Sequence, residues 1–205
     1  MNIFFDLDGT LWDSQERLYR LFCNLTRINS LSKGKYWELK RNKISNEAIL
    51  KNQFGWEESK IKHFTEQWLL KIEQPEYLAL DELFGFTLDV LDRLKLSGYR
   101  IYFVTLRQSA SRVMQEISDK GIGRYCEKCL VSEAKTTKEA LVRDSGIILS
   151  ADDVFVGDTG IDVMTAKGLG VKSVAVLSGF RNREILEEYN PDFIINDLSE
   201  LYEVL

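Results

Sequence analysis

The segment FFDLDGTLWDS, residues 4–14, places two aspartates, Asp6 and Asp8, one residue apart directly behind an apolar run. A short continuous apolar run closed by a glycine reads as a buried strand. The question is then why a strand should end on two carboxylates. From residue 82 onward the chain alternates such runs with helical spacings. LFGFTLDVLDRLKLSG sets Leu88, Leu91 and Leu94 three apart and stops at Gly98, which predicts a helix. The strand YRIYFVT follows, then a helix near 108–120, the strand CLVS, a helix through KEALVRDSG, the strand VFVGD, a helix near DVMTAKGLG and the strand SVAVL. REILEEY, FII and LSELYEVL continue the pattern to Leu205. Strand-then-helix units imply parallel strands joined by right-handed crossovers, so the fold class is α/β with a doubly wound parallel sheet.

Residues 15–80 differ. They carry helical spacings, several aromatics (Tyr19, Phe22, Tyr36, Trp37, Phe54, Trp56, Phe64, Trp68) and no convincing strand. The expected organisation is an α/β core over 1–14 and 81–205, with an α-helical insertion over 15–80. At helical spacing the aromatics pack helices together, and His63, alone in the insertion, reads as structural.

Composition narrows the function. The 205 residues are 44% apolar, enough for a real core, and the net charge of −5 gives no domain-wide basic field for nucleic acid. From Met1 the chain enters Ile3-Phe4-Phe5 with no charged leader or long apolar stretch. It is expected to be cytoplasmic and not membrane-spanning. Three cysteines make no disulfide framework. Cys126 and Cys129 form a C-x-x-C, but no second pair or clustered histidine completes a zinc site, and they read as ordinary thiols near a strand start.

In a sheet of this class, ligands bind beyond the C-terminal strand ends. Four polar residues collect there: Asp6 and Asp8 after the first strand, Thr105 after YFV and Asp158 after VFVG. A polar cap at a strand end would explain any one of them, but not easily all four. Clustered carboxylates need a cation, and an all-oxygen set suits Mg²⁺. A phosphate is the natural third party: one aspartate attacks phosphorus and its neighbour moves the proton, with Gly9 and Thr10 letting the backbone turn close by.

These residues resemble the haloacid dehalogenase superfamily in its phosphatase branch. FFDLDGTLWDS looks like its first motif, YFVTLR like its second and VFVGDTGIDV like its fourth, G-D-x-x-x-D. The resemblance implies a Rossmann-like core and a Mg²⁺-dependent phosphatase working through an aspartyl-phosphate. Asp6 would be nucleophile and metal ligand, and Asp8 the acid/base that also ligates through its carbonyl. Thr105 would hold a phosphoryl oxygen, Asp158 would bind Mg²⁺, and Asp162 would support the metal's waters or the lysine. For that lysine, EAKTTKEAL offers Lys135 and Lys138, and the distance to Gly146 and Asp158 favours Lys135.

The insertion falls where relatives of the phosphoglycolate phosphatase and β-phosphoglucomutase type carry a helical cap, which selects substrate and excludes water. Its charge is +4, against −9 for the rest of the chain. SKGKYWELKRNK could grip an anionic leaving group through Lys40, Arg41 and Lys43, or could be a solvated helix face. After Thr105, where many capped relatives place asparagine or glycine, stand Leu106 and Arg107, and Arg107 could meet a second anionic group or be a surface residue. The expected substrate is a small phosphorylated metabolite. A mutase with the same intermediate is the nearest rival. A receiver domain shares the strand-end carboxylates, but its acidic pair is not its phosphate acceptor and it has no helical insertion.

Overall fold

The first strand, β1 (Asn2–Phe5), is buried along its whole length, and its residues divide between the two faces of the sheet. In the computed structural model, which describes residues 1–205, Ile3 and Phe5 enter one apolar cluster and Phe4 another. A strand with helices on both faces must be apolar on both, so no polar–apolar alternation runs along Ile3-Phe4-Phe5. The chain then makes a two-residue strand β2 (Trp12–Asp13) and five helices: α1 (Gln15–Thr26), α2 (Lys33–Arg41), α3 (Asn46–Phe54), α4 (Glu58–Lys71) and the single turn α5 (Pro75–Leu78). It returns through β3 (Glu82–Leu83), which pairs antiparallel with β2. Thereafter come α6 (Thr87–Leu96), β4 (Arg100–Thr105), α7 (Ala110–Asp119), β5 (Cys126–Val131), α8 (Lys138–Asp144), β6 (Val154–Gly157), α9 (Gly160–Leu169), β7 (Lys172–Val176), α10 (Arg183–Glu187) and β8 (Phe193–Ile195).

The six long-range strands form one parallel sheet in the order β5-β4-β1-β6-β7-β8. Val90, Leu91 and Leu94 of α6, with Val113 and Ile117 of α7, cover the face that Ile3 and Phe5 present. Val142 of α8 and Ala166 and Leu169 of α9 cover the other, where Phe4 stacks between Tyr102 and Phe155 at ring distances of 5.1 and 6.0 Å. The winding reverses beside β1, whose neighbours β4 and β6 lead to opposite edges. That reversal opens a crevice at the C-terminal ends of these three strands.

The helices between β2 and β3 have a cluster of their own, built on Leu18, Phe22, Tyr36, Ile49, Leu50, Ile61 and Phe64. The aromatics expected to pack helices do so: the Phe22 ring lies 5.0 Å from Tyr36 and 6.0 Å from Phe64. No helix is long and apolar enough to cross a membrane. Cys126 and Cys129 are half-buried on the edge strand β5, with burial pushing their thiols up to about 11 and about 12. At neutral pH they are thiols, poor as nucleophiles or metal ligands.

Candidate active site

Three strands deliver carboxylates or a hydroxyl to one point. Asp6 and Asp8 follow β1, Thr105 ends β4, and Asp158 follows β6. Oxygens of Asp6, Asp158 and Asp162 lie within 4.8 Å of one another, and all three side chains are buried. Asp162 is held in the first turn of α9, where its Oδ2 accepts from the Thr159 backbone N–H at 3.0 Å and the Thr159 hydroxyl at 2.8 Å. With the Asp162 backbone N–H turned back to the Thr159 side chain, this makes a capping box. Asp158 accepts from the Phe180 N–H through Oδ2, while its Oδ1 is buried with no partner. A Cβ on Gly9, whose φ is +80°, or on Gly179 would strike the Asp158 carboxylate. The glycine of the first motif is therefore needed both for its left-handed backbone and for the space it leaves.

Lys138 is the cation among these acids. It opens α8, its side chain is 4% exposed, and its Nζ sits 2.6 Å from Asp6 Oδ1 and 2.6 Å from Asp162 Oδ1. Lys135, which the spacing favoured, is not in the crevice. Its side chain is 75% exposed and pairs with Glu133 at 3.1 Å. The reason is local: Glu133 and Ala134 both take left-handed φ values of 49° and 57°, turning the chain before Thr137 caps α8. The first helical residue, not the loop residue before it, then points at the strand ends.

Burial pushes Asp6 up to about 7, with Asp162 and Asp8 adding to the rise and Lys138 opposing it. Burial, followed by the charges of Asp6 and Asp162, puts Asp158 well above the usual carboxylate range. Burial works against the charged form of Lys138, but Asp162 and Asp6 outweigh it and raise the lysine. Three clustered carboxylates against one ammonium leave negative charge uncompensated. With the orphaned Asp158 Oδ1 and an all-oxygen donor set, these residues fit a hard divalent cation such as Mg²⁺.

Asp8 keeps different company. Its carboxylate accepts from Arg107 Nε at 2.6 Å and Nη2 at 2.7 Å, from the Ser14 hydroxyl at 2.7 Å, from Trp12 Nε1 at 3.1 Å, and from Arg17 Nη2. Burial opposes its charge, yet Arg107 and Arg17 hold it well below the usual carboxylate range. The two arginines also bind Asp81, Arg17 Nε at 3.1 Å and Arg107 Nη2 at 3.0 Å, and Arg107 reaches Glu116 at 3.5 Å. Arg107 thus lies buried on the crevice wall and is not a surface residue. Arg41 and Lys43 do not line the crevice. The Arg41 carbonyl accepts from the Asn182 N–H, and Lys43 bonds the Tyr189 hydroxyl at 2.7 Å. The basic segment docks the helical region on core residues 180–189, which include α10, and Trp37 also meets Phe180 there at 5.1 Å.

Arg17, Asp81 and Glu116 were not anticipated from the sequence. Arg17 did carry a signal, since it falls on the same buried face of α1 as Leu18, Leu21 and Phe22. A charge on an apolar helix face needs a buried partner. The crevice between the strand ends and the helices, about 300 Å³, is lined by Asp6, Asp8, Arg17, Thr105, Arg107, Lys138 and Asp158, with Leu18, Trp68, Ile72 and Phe180 as its apolar side.

A family model described as haloacid dehalogenase-like hydrolase matches residues 3–176. The chain is 29% identical over 133 residues to the phosphoglycolate phosphatase of Vibrio parahaemolyticus, spanning 62% of this chain and 58% of that protein. It is 28% identical over 212 residues to the phosphoglycolate phosphatase of Pseudomonas fluorescens, covering 97% of this chain and 77% of the relative. The pyrophosphatase PpaX of Bacillus cereus is 22% identical over 209 residues, covering 99% and 95%. Among solved structures, a haloacid dehalogenase-like family hydrolase from Streptococcus pneumoniae superposes with a TM-score of 0.77 at 21% identity, covering 98% of this chain and 96% of that one.

Proposed function

Because this chain belongs to the haloacid dehalogenase-like hydrolase family, we propose that its crevice hydrolyses a small phosphorylated metabolite with Mg²⁺ through an aspartyl-phosphate on Asp6. The enzyme is of the phosphatase type, as its named relatives are. The observation that carries the reading is the surplus of buried negative charge at the strand ends: Asp6, Asp158 and Asp162 gathered around Lys138, with Asp158 Oδ1 unpaired.

Asp6 and Asp158 would hold the metal, with the Asp8 carbonyl as a further donor. Mg²⁺ would neutralise phosphoryl oxygens as charge builds on them. Asp6 attacks phosphorus, and its new O–P bond forms as the bond from phosphorus to the leaving oxygen breaks. That oxygen takes a proton from Asp8, which picks one up from solvent only after leaving the two arginines that hold it ionised. A water then attacks phosphorus and gives a proton to Asp8, the Asp6–phosphorus bond breaks, and inorganic phosphate leaves. Lys138 Nζ offsets the charge between Asp6 and the incoming phosphate, and Thr105 donates to a phosphoryl oxygen. Asp162, committed to Lys138 and Thr159, orients the lysine. The helical region over 15–80 acts as a cap whose Leu18, Trp68 and Ile72 keep bulk water from the intermediate.

Activity of the purified protein against a panel of phosphorylated metabolites, with Mg²⁺ and with EDTA, tests the reading. Hydrolysis should require the metal, and a brief incubation with ³²P-labelled substrate should label wild type but not Asp6→Asn. Metal-independent hydrolysis, or labelling that survives Asp6→Asn, would overturn it.

A further inference from the structure

Asp8 cannot serve the leaving group and remain where it is. Its carboxylate is bound on both oxygens by Arg107, and Oδ1 is shared with Arg17, Ser14 and Trp12. Of the charges in this cluster it is also the one most open to the crevice, its side chain 18% exposed against 5% or less for Arg17, Arg107 and Asp81. While Asp8 is in place both guanidiniums are paired with it, and Asp81 and Glu116 stand against the same arginines and Lys120. When Asp8 turns toward the reacting oxygen, one positive charge in a dry site loses its partner, which is strongly unfavourable. Arg107 already has a donor to spare, since its Nη1 is buried without a hydrogen-bond partner. Both arginines stand on the crevice wall.

We propose that Arg17 and Arg107 form a subsite for a second anionic group on the substrate, and that this group takes the place of the Asp8 carboxylate and so frees Asp8 to act. The inference rests on the phosphatase reading and deepens it. It names the substrate class as small phosphate esters or anhydrides that carry a carboxylate or another phosphate close to the reacting phosphoryl group. Two guanidinium forks suit either anion, because each presents paired donors at carboxylate and phosphate spacing. Specificity and activation become one event. A substrate with a neutral leaving group fits the 300 Å³ crevice but leaves Asp8 locked on its arginines.

The kinetic test compares 2-phosphoglycolate and pyrophosphate with ethyl phosphate, which has no second charge. Wild type should favour the charged substrates by about 10⁴-fold in kcat/KM, the scale expected when a site's buried polar groups are left without their partner. Added glycolate should raise kcat for ethyl phosphate. Arg107→Lys, which keeps the charge but not the fork, should lose both effects to within about threefold. Equal rates on charged and neutral substrates overturn the subsite while leaving the phosphatase reading intact. Absence of hydrolysis and of phosphoenzyme with every substrate overturns both.

A second readout needs neither metal nor turnover. The Trp12 indole N–H donates to Asp8 Oδ1, so it reports whether Asp8 is in place. In ¹⁵N-labelled protein, glycolate should shift the Trp12 signal, assigned through Trp12→Phe among the four tryptophans. The shift should be absent in Arg107→Lys. An unmoved Trp12 signal at saturating glycolate would overturn the exchange.

Discussion

Two aspartates separated by one residue end in opposite electrostatic company. Asp6 joins Asp158 and Asp162, with Lys138 as their cation. Asp8 joins Asp81 and Glu116, met by Arg17, Arg107 and Lys120. The first cluster is short of positive charge and, on the proposed reading, would be completed by a cation from solution. The second is complete within the chain and can release Asp8 only in exchange for another anion. In a buried site an acid's neighbours, more than its position in a motif, decide whether it recruits a ligand or resists one.

The largest expected effect strikes the first cluster at its nucleophile. Asp6→Asn should lower kcat by on the order of 10⁴-fold or more, as loss of a covalent nucleophile does elsewhere, and single-turnover kinetics will measure it. Residual activity near the wild-type level would remove Asp6 from the chemistry. Lys138→Ala should cost about 10²–10³ in kcat, while Lys135→Ala, which loses only a solvent-facing pair with Glu133, should stay within about twofold. The reverse result would mean that the lysine at the carboxylates is not the one that stabilises transfer.

Metal should separate the two clusters in stability. Mg²⁺ at about 100 times its Kd should add about 2.7 kcal/mol to unfolding. Asp158→Asn should abolish the gain and Glu116→Gln should preserve it, as read by Tm with and without EDTA. If Glu116→Gln also erased the gain, the ion would not belong to the first cluster alone.

The smallest effect is a pair of pH slopes of opposite sign. Without metal, Asp6 is pushed up from 3.8 to about 7, so between those values the folded chain holds a proton that the unfolded chain has lost. Stability contributed by this group therefore falls as pH rises through that window. Asp8, held well below its ordinary 3.8, contributes stability that is present above that value and is lost as pH falls below it. Tm measured in EDTA should show both slopes, and Asp6→Asn should make the upper one shallower, leaving the part that Asp158 and Asp81, also raised by burial, contribute. An unchanged upper slope in Asp6→Asn would assign it to other groups.

Much of this was readable along the chain. Apolar runs alternating with helical spacings gave the parallel sheet, because a strand covered on both faces must be apolar throughout. The strand-end positions of Asp6, Thr105 and Asp158 followed, since their neighbours in the sheet are set by winding order. Lys138 did not follow. It and Lys135 are three residues apart, and the left-handed turn at Glu133 and Ala134 determines which of them faces inward. The basic run at Lys40, Arg41 and Lys43 left two readings open, charges aimed at substrate or a solvated helix face. The backbone carbonyls of Lys40 and Arg41 dock on Arg181 and Asn182, a contact no local pattern marks.

The amino-acid sequence by itself determined the periodicities, the order of strands and helices, and the acids that stand at strand ends, because these depend on neighbours a few residues away. Only the tertiary structure decided which charges pair. Asp8 meets Arg17 from the helical insertion and Arg107 from beyond the fourth strand, and Lys138 reaches Asp6 and Asp162 across two further crossovers. Coulomb energy in a dry site depends on distances of a few ångströms between groups far apart along the chain, and those distances exist only once the sheet has closed around β1.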